Sequence, residues 1–225
     1  MIKFKNVSKA YDSQVALSGI NIHIAEQEFV SIVGKSGAGK TTLAKLLIAE
    51  EKPSSGNITI SDWDISDIGH LEIPYLRRQI GVIFQDFKLL PKKTIFENIA
   101  FAMEVCGEKQ KRIKDLVPQL LKVVGLGDKW SRYPQQLSGG EQQKVSIARA
   151  LIHHPKIILA DEPTGNLDSI NAHEIIDLLL KINELGATVI LVSHNREIVN
   201  TLKKRVITLD QGIVVSDQAV GKYII

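Results

Sequence analysis

A buried-type run with a single polar residue, FVSIV at 29–33, leads straight into Gly34-Lys35-Ser36-Gly37-Ala38-Gly39-Lys40-Thr41-Thr42, which opens the helical pattern TTLAKLLIA. No other stretch constrains the fold as tightly. The order strand, loop, helix and the spacing G-x-x-x-x-G-K-[ST] together describe one physical object, a cradle for phosphate. Its glycines let the backbone curl until consecutive N–H groups converge on one anion. The helix that follows adds the positive end of its dipole. Lys40 offers a point charge to β- and γ-phosphates, and the Thr41 hydroxyl is placed to ligate Mg2+.

Two further buried-type runs, IILA and TVILV, are each followed by a helical pattern, so an α/β core with parallel strands is expected. Strand-like runs fall at 2–7, 29–33, 58–61, 80–84, 157–160, 188–192 and 205–209, and helical patterns at 40–49, 174–183 and 196–202. The N-terminal strands and the run at 57–61 are expected to form a small antiparallel β-layer, and Asp210-Gln211-Gly212 a hairpin turn. From 94 to 151 the chain reads as helices: TIFENIAFAMEV, KRIKDLVPQLLKVV with Pro118 as a start or kink, and GGEQQKVSIARALI. One domain over 1–225 is predicted, with an α/β core from 1–86 and 152–225 and a helical subdomain inserted at about 87–151.

Composition supports a soluble globular chain: of 225 residues, 44% are apolar and 24% charged, and the net charge of +3 describes a mixed surface. No run is long enough to span a bilayer, and MIKFKNVSKAYD lacks the apolar core of a secretion signal. Any action at a membrane therefore requires another chain. The single cysteine, Cys106, excludes an internal disulfide and reads as a packed small hydrophobe. Trp63 and Trp130 read as packing residues, and His153 and His154, before Pro155, as exposed helix-end residues.

Two more segments carry chemistry. Asp161 and Glu162 end the apolar run IILA, where unpaired carboxylates are costly unless used. Asp161 at the strand tip is suited to hold Mg2+, while Glu162, on the opposite side, is suited to orient or deprotonate a water. Ser138-Gly139-Gly140-Glu141 precedes a helical run. Ser138 with Glu141 three residues on is a capping box, and the same hydroxyl, glycine N–H groups and helix start also suit a second phosphate. One nucleotide hardly needs two cradles in one chain; a site shared between two chains does.

GKSGAGKTT, LSGGEQQ, ILADEPTGNLD and Ser193-His194 resemble, in order, the Walker A, signature, Walker B with D-loop, and H-loop of the ABC ATPases. The resemblance covers essentially the whole chain and implies ATP and Mg2+ as cofactors. It implies that Gln85 is the Q-loop residue touching Mg2+ and water, that His194 is the switch histidine at the γ-phosphate, and that Asp168 is the D-loop aspartate at a dimer interface. Tyr11 matches the aromatic that stacks on adenine. Two subunits then pair head to tail, so that Ser138 and Gly140 of one face the nucleotide on Lys40 of the other. Lys144 stands where arginine is usual and Ser193 where threonine is common.

Within the family, VIFQDFKLLPKKTIFENIAFAMEV, DEPTGNLD and RVITLDQGIVVSDQAVGKY resemble the cell-division branch. That implies a homodimer bound peripherally at the cytoplasmic face through an integral membrane partner, whose motion controls cell-wall hydrolysis. Segment 86–105 is then the docking groove, with Phe87, Leu89, Leu90 and Phe96 as apolar contacts and Lys88, Lys92 and Lys93 as charges. An exporter or lipoprotein-release ATPase is the alternative. A nucleic-acid-associated ATPase is disfavoured, since there is neither a sustained heptad run nor a dense basic stripe. Intact Lys40, Asp161, Glu162 and His194 speak against a non-catalytic scaffold.

Overall fold

FVSIV and TVILV are buried at every residue, and such strands are stable only with both sheet faces covered. The rest of the chain supplies that cover. In the computed structural model, which describes residues 1–223, the elements are β1 (Ile2–Tyr11), β2 (Gln14–Ile24), β3 (Phe29–Val33), α1 (Lys40–Leu47), β4 (Ser55–Ile60), β5 (Trp63–Asp64), α2 (Ile73–Gln79), β6 (Ile80–Phe84), α3 (Ile95–Val105), α4 (Gln110–Val123), α5 (Gly139–Leu151), β7 (Ile157–Asp161), α6 (Ser169–Glu184), β8 (Thr188–Val192), α7 (Arg196–Leu202), β9 (Arg205–Asp210) and β10 (Ile213–Gln218).

The central sheet has the order β10-β9-β3-β8-β7-β6. Its strands pair in parallel except for β10, which returns antiparallel on β9. Gln211 and Gly212 both have positive φ at that hairpin, the geometry that matches strand twist in a two-residue loop. The second sheet, β2-β1-β4-β5, is antiparallel, with bulges in β1 between Phe4 and Val7 and between Val7 and Lys9.

One face of the central sheet meets α6 through Ile175, Leu179 and Ile182 against Phe29, Val189 and Leu191. The other face buries Leu43 and Leu47 of α1 together with Ile22 and Ile58 of the antiparallel layer against Ile32, Leu159 and Ile190. Helices α3, α4 and α5 close a further apolar cluster around Ile99, Val117, Leu121 and Val145. Pro118 lies inside α4 without ending it. Ile113, Val117 and Leu121 are fully buried one turn apart, worth about 1.5–3 kcal/mol each. Their sum exceeds the ~3 kcal/mol penalty of an interior proline, so the helix persists.

Two expectations fail. Trp130 is 56% exposed; its contribution is its backbone carbonyl, which accepts from Phe96 N at 3.0 Å. His153 is half-buried, its Nε2 lying 3.1 Å from the Ala102 carbonyl and 3.6 Å from Cys106 Sγ. Burial pushes its imidazole below the usual value.

Candidate functional site

The parallel register aligns the carboxyl ends of four strands, since Ile32 pairs with Val192, and Asp161 with both Phe84 and Val192. The residues that leave those ends are Gly34, Gln85, Glu162 and the pair Ser193-His194, so one sheet edge gathers most of the candidate residues. Open parallel sheets bind ligands at that edge.

At β3 the loop is fixed by its surroundings. Gly34 has φ 155°, and a Cβ there would sit 2.3 Å from the Leu209 carbonyl. Gly39, with φ 100°, is backed by Leu17 and the Ala16 carbonyl at 2.6 and 2.7 Å. Thus β2 and β9 mould the cradle, and only glycine fits. Lys40 is buried, and its Nζ donates to the carbonyls of Gly34 (2.8 Å) and Lys35 (3.0 Å). Lys35, Ser36, Gly37 and Thr41 are exposed, Thr42 half-buried and Ala38 buried. No side chain caps α1, which leaves its first N–H groups for an anion.

Thr41 and Asp161 line one cavity of about 300 Å³ beside the loop. Burial, and next the charge of Glu162, push the Asp161 carboxyl above its usual value, against the pull of Lys40. A carboxylate so placed gains from a cation. Glu162 departs from β7 at φ 49°, a left-handed non-glycine conformation of the kind stored at functional sites. Its Oε1 accepts from His194 Nδ1 at 2.7 Å, while the His194 backbone N–H donates to Oε2 at 3.3 Å. Glu162 and His194 are therefore in direct contact. Ser193 beneath them is buried, and its hydroxyl accepts from Asn195 N at 3.1 Å. Tyr11, 37% exposed, lies at the end of β1 with Lys9 Nζ 4.8 Å from its ring centre.

Ser138-Gly139-Gly140-Glu141 opens α5. Ser138 caps α5: Oγ accepts from Glu141 N at 3.3 Å, and Ser138 N donates to Glu141 Oε2 at 3.0 Å. Lys129 pairs with the other Glu141 oxygen and, as the largest cause, holds that carboxyl below its usual value. The helix packs on β6, α3, α4 and α6. Asp168 caps α6, accepting from Asn171 N at 2.9 Å and Nδ2 at 2.6 Å; these bonds lower its carboxyl pKa. Lys144 bridges to Glu174 of α6 at 2.7 Å.

Four residues not anticipated from the sequence join these parts. Asn166 exchanges bonds with Gln85, donating Nδ2 to its carbonyl at 3.0 Å and accepting from Gln85 Nε2 at 3.3 Å. Asn171 presses on Gly140, where a Cβ would lie 2.2 Å from its Oδ1. Gln143, fully buried, donates to the Phe84 and Pro163 carbonyls. Arg149 donates to the carbonyls of Phe87 and Lys88. The available signal was a large polar residue at 143 on a helix face shared with Ile147 and Ala150; the others carry none. In segment 86–105, Leu89 and Phe96 pack into the α3–α5 cluster rather than standing free, while Phe101 is 41% exposed and Lys92 exposed.

A phosphate loop, acidic strand end and histidine on one edge, with a capped glycine pair at the start of α5, define an ATP-hydrolysing cassette. The ABC transporter family matches residues 17–165, and the chain belongs to that family. Over nearly its full length it is similar to the cell division ATP-binding protein FtsE of Bacillus subtilis, 53% identical across 99% of this chain and 98% of that one. FtsE of Streptococcus pneumoniae is 47% identical, covering 99% and 97%. Among solved structures, the dimeric post-hydrolysis state of the ATP-binding cassette MJ0796 bound to ADP and Pi superposes with TM-score 0.89 at 36% identity, covering 99% of this chain and all of that one.

Proposed function

We propose that this chain is the ATPase of an FtsE-type cell-division machine. Two copies close head to tail around two ATP molecules, and the cycle of closing and opening moves an integral membrane partner of the FtsX type from the cytoplasmic face. The observation that carries this reading is the presence of two separate phosphate-binding features, at the starts of two different helices of one chain. Lys40 and the start of α1 occupy the sheet edge, whereas Ser138 and Gly139 start α5, which packs chiefly on β6, α3, α4 and α6. One nucleotide does not need both features, and the second suits a nucleotide held by another copy.

In this arrangement Gly34 to Thr42 wrap the β- and γ-phosphates, with Lys40 already oriented by two carbonyls, and Tyr11 stacks on the adenine. Thr41, Asp161 and Gln85 would hold Mg2+, which when bound neutralises charge on the transferring phosphoryl group. Glu162 accepts the proton of the attacking water. His194, at hydrogen-bond distance from Glu162, orients it and reaches toward the γ-phosphate. Ser138, Gly139, Gly140 and Glu141 come from the other copy, with Asp168 at the seam.

The test is Glu162→Gln. An amide cannot take the proton, so turnover falls about 10²–10⁴-fold while ATP still binds. Light scattering with ATP is expected to show a trapped dimer. Mixing Ser138→Arg with Lys40→Ala subunits restores part of the activity if sites are shared between chains. Normal turnover by Glu162→Gln rejects the base assignment, and a verified heterodimer with no activity counts against the shared site.

A further inference from the structure

The segment that leaves β6 is fixed by side chains. The Phe84 carbonyl accepts from Gln143 Nε2 at 3.3 Å and the Gln85 carbonyl from Asn166 Nδ2 at 3.0 Å. The Phe87 carbonyl accepts from Arg149 Nη2 at 2.9 Å and the Lys88 carbonyl from Arg149 Nη1 at 2.7 Å. Phe87 and Lys88 are both left-handed, with φ 58° and 50°. Non-glycine residues adopt that conformation only when the surroundings impose it. Here the two carbonyls lie within the fork of one guanidinium, a shape that a lysine ammonium does not have.

Arg149 has no other evident task. Among the described residues no carboxylate lies in ion-pair reach of it. It is half-buried, and burial lowers its pKa. A cation withdrawn from water without a counter-ion is costly, so its backbone bonds are its return. Gln143 sits earlier on the same helix and holds the other flank of Gln85, as well as Pro163 of the loop after Glu162, at 2.7 Å.

We infer that Arg149 is a positioning residue for Gln85, acting through the Phe87 and Lys88 carbonyls two and three residues further along the same loop. This rests on the proposed role of Gln85.

The experiment is a double-mutant cycle on the full chain, reading ATP affinity, kcat and thermal unfolding for Gln85→Ala, Arg149→Ala, Arg149→Lys and the double variants. Arg149→Ala is expected to bind ATP within about threefold of the parent and to lose up to about 10²-fold in kcat, the cost of a roughly 1 Å misplacement. Arg149→Lys, which keeps charge but not the fork, behaves alike and serves if the alanine variant does not fold. Added methylguanidinium restores part of the turnover of Arg149→Ala. In the Gln85→Ala background neither Arg149 substitution slows turnover further. Multiplying losses in the double variants, or unchanged kcat in Arg149→Lys, overturns the inference. Normal turnover by Gln85→Ala instead overturns the role of Gln85 itself, a distinguishable failure.

Discussion

Replacing Gly140 by alanine separates the stability of α5 from its function. Gly140 is inside the helix, where alanine is favoured over glycine by about 1 kcal/mol. Against that, the new methyl would lie 2.2 Å from Asn171 Oδ1 and 2.6 Å from its Cγ, where ordinary contact begins at 3.4 Å. Asn171 cannot swing away freely, since its amide donates to Asp168 Oδ2 at 2.6 Å. Releasing that bond costs about 0.5–1.5 kcal/mol. The two terms nearly cancel, so Tm should stay within a few degrees of the parent. The contact still has to open by about 1 Å, at the seam between the start of α5 and the 163–168 loop, and a displacement of that size near reacting groups is worth up to about 10²-fold in rate. ATP titration, calorimetry and steady-state ATPase at saturating Mg-ATP check this. Parental turnover in Gly140→Ala refutes the reasoning about the seam. A fall of about 10 °C or more in Tm assigns the glycine to packing alone.

Three further outcomes are expected. Asp161→Asn should abolish hydrolysis yet raise Tm in nucleotide-free buffer near neutral pH. A carboxyl raised in the native state weakens folding as pH climbs from the ordinary carboxylate range through its native value, so calorimetry across pH should show that decline in the parent and less of it in the variant. Arg205→Met should destabilise by about 2 kcal/mol in urea unfolding, because a half-buried fork to Asp217 (2.7 and 2.6 Å) and Glu28 (2.9 Å) leaves two acids unpaired when removed. Charge reversal at Lys92 and Lys93 should weaken recruitment to membranes carrying the partner while leaving ATP affinity unchanged, with at most about 1 kcal/mol lost from the Lys93–Phe101 ring contact; flotation assays decide it.

The sequence showed the sheet edge and hid the struts behind it. FVSIV, IILA and TVILV are read directly, because a strand buried on both faces has no polar alternation to confuse it. The capping box at Ser138 and the hairpin at Gln211-Gly212 are equally local and equally legible. Helix α2 escaped notice because Leu76 is its only buried residue, leaving no periodicity to find. The first strand runs on to Tyr11 past the predicted end at 7, since its bulges break the alternation. Asn166, Asn171, Gln143 and Arg149 act on groups distant in sequence, several of them backbone carbonyls. A carbonyl exists at every residue, so nothing in the chain marks which one a side chain will find.

The strand order has a consequence for synthesis. The phosphate loop leaves β3, and β3 has β8 and β9 as its neighbours. Those strands begin at Thr188 and Arg205, so on the ribosome the loop emerges long before anything can pair with the strand that holds it. The β9 carbonyl that closes over Gly34 belongs to Leu209. A nascent chain halted before that point has every residue of the cradle and the β2 side of its frame, but lacks the β9 side. Competence to hold nucleotide is therefore expected to arrive late in translation, once β8 and β9 have closed on β3.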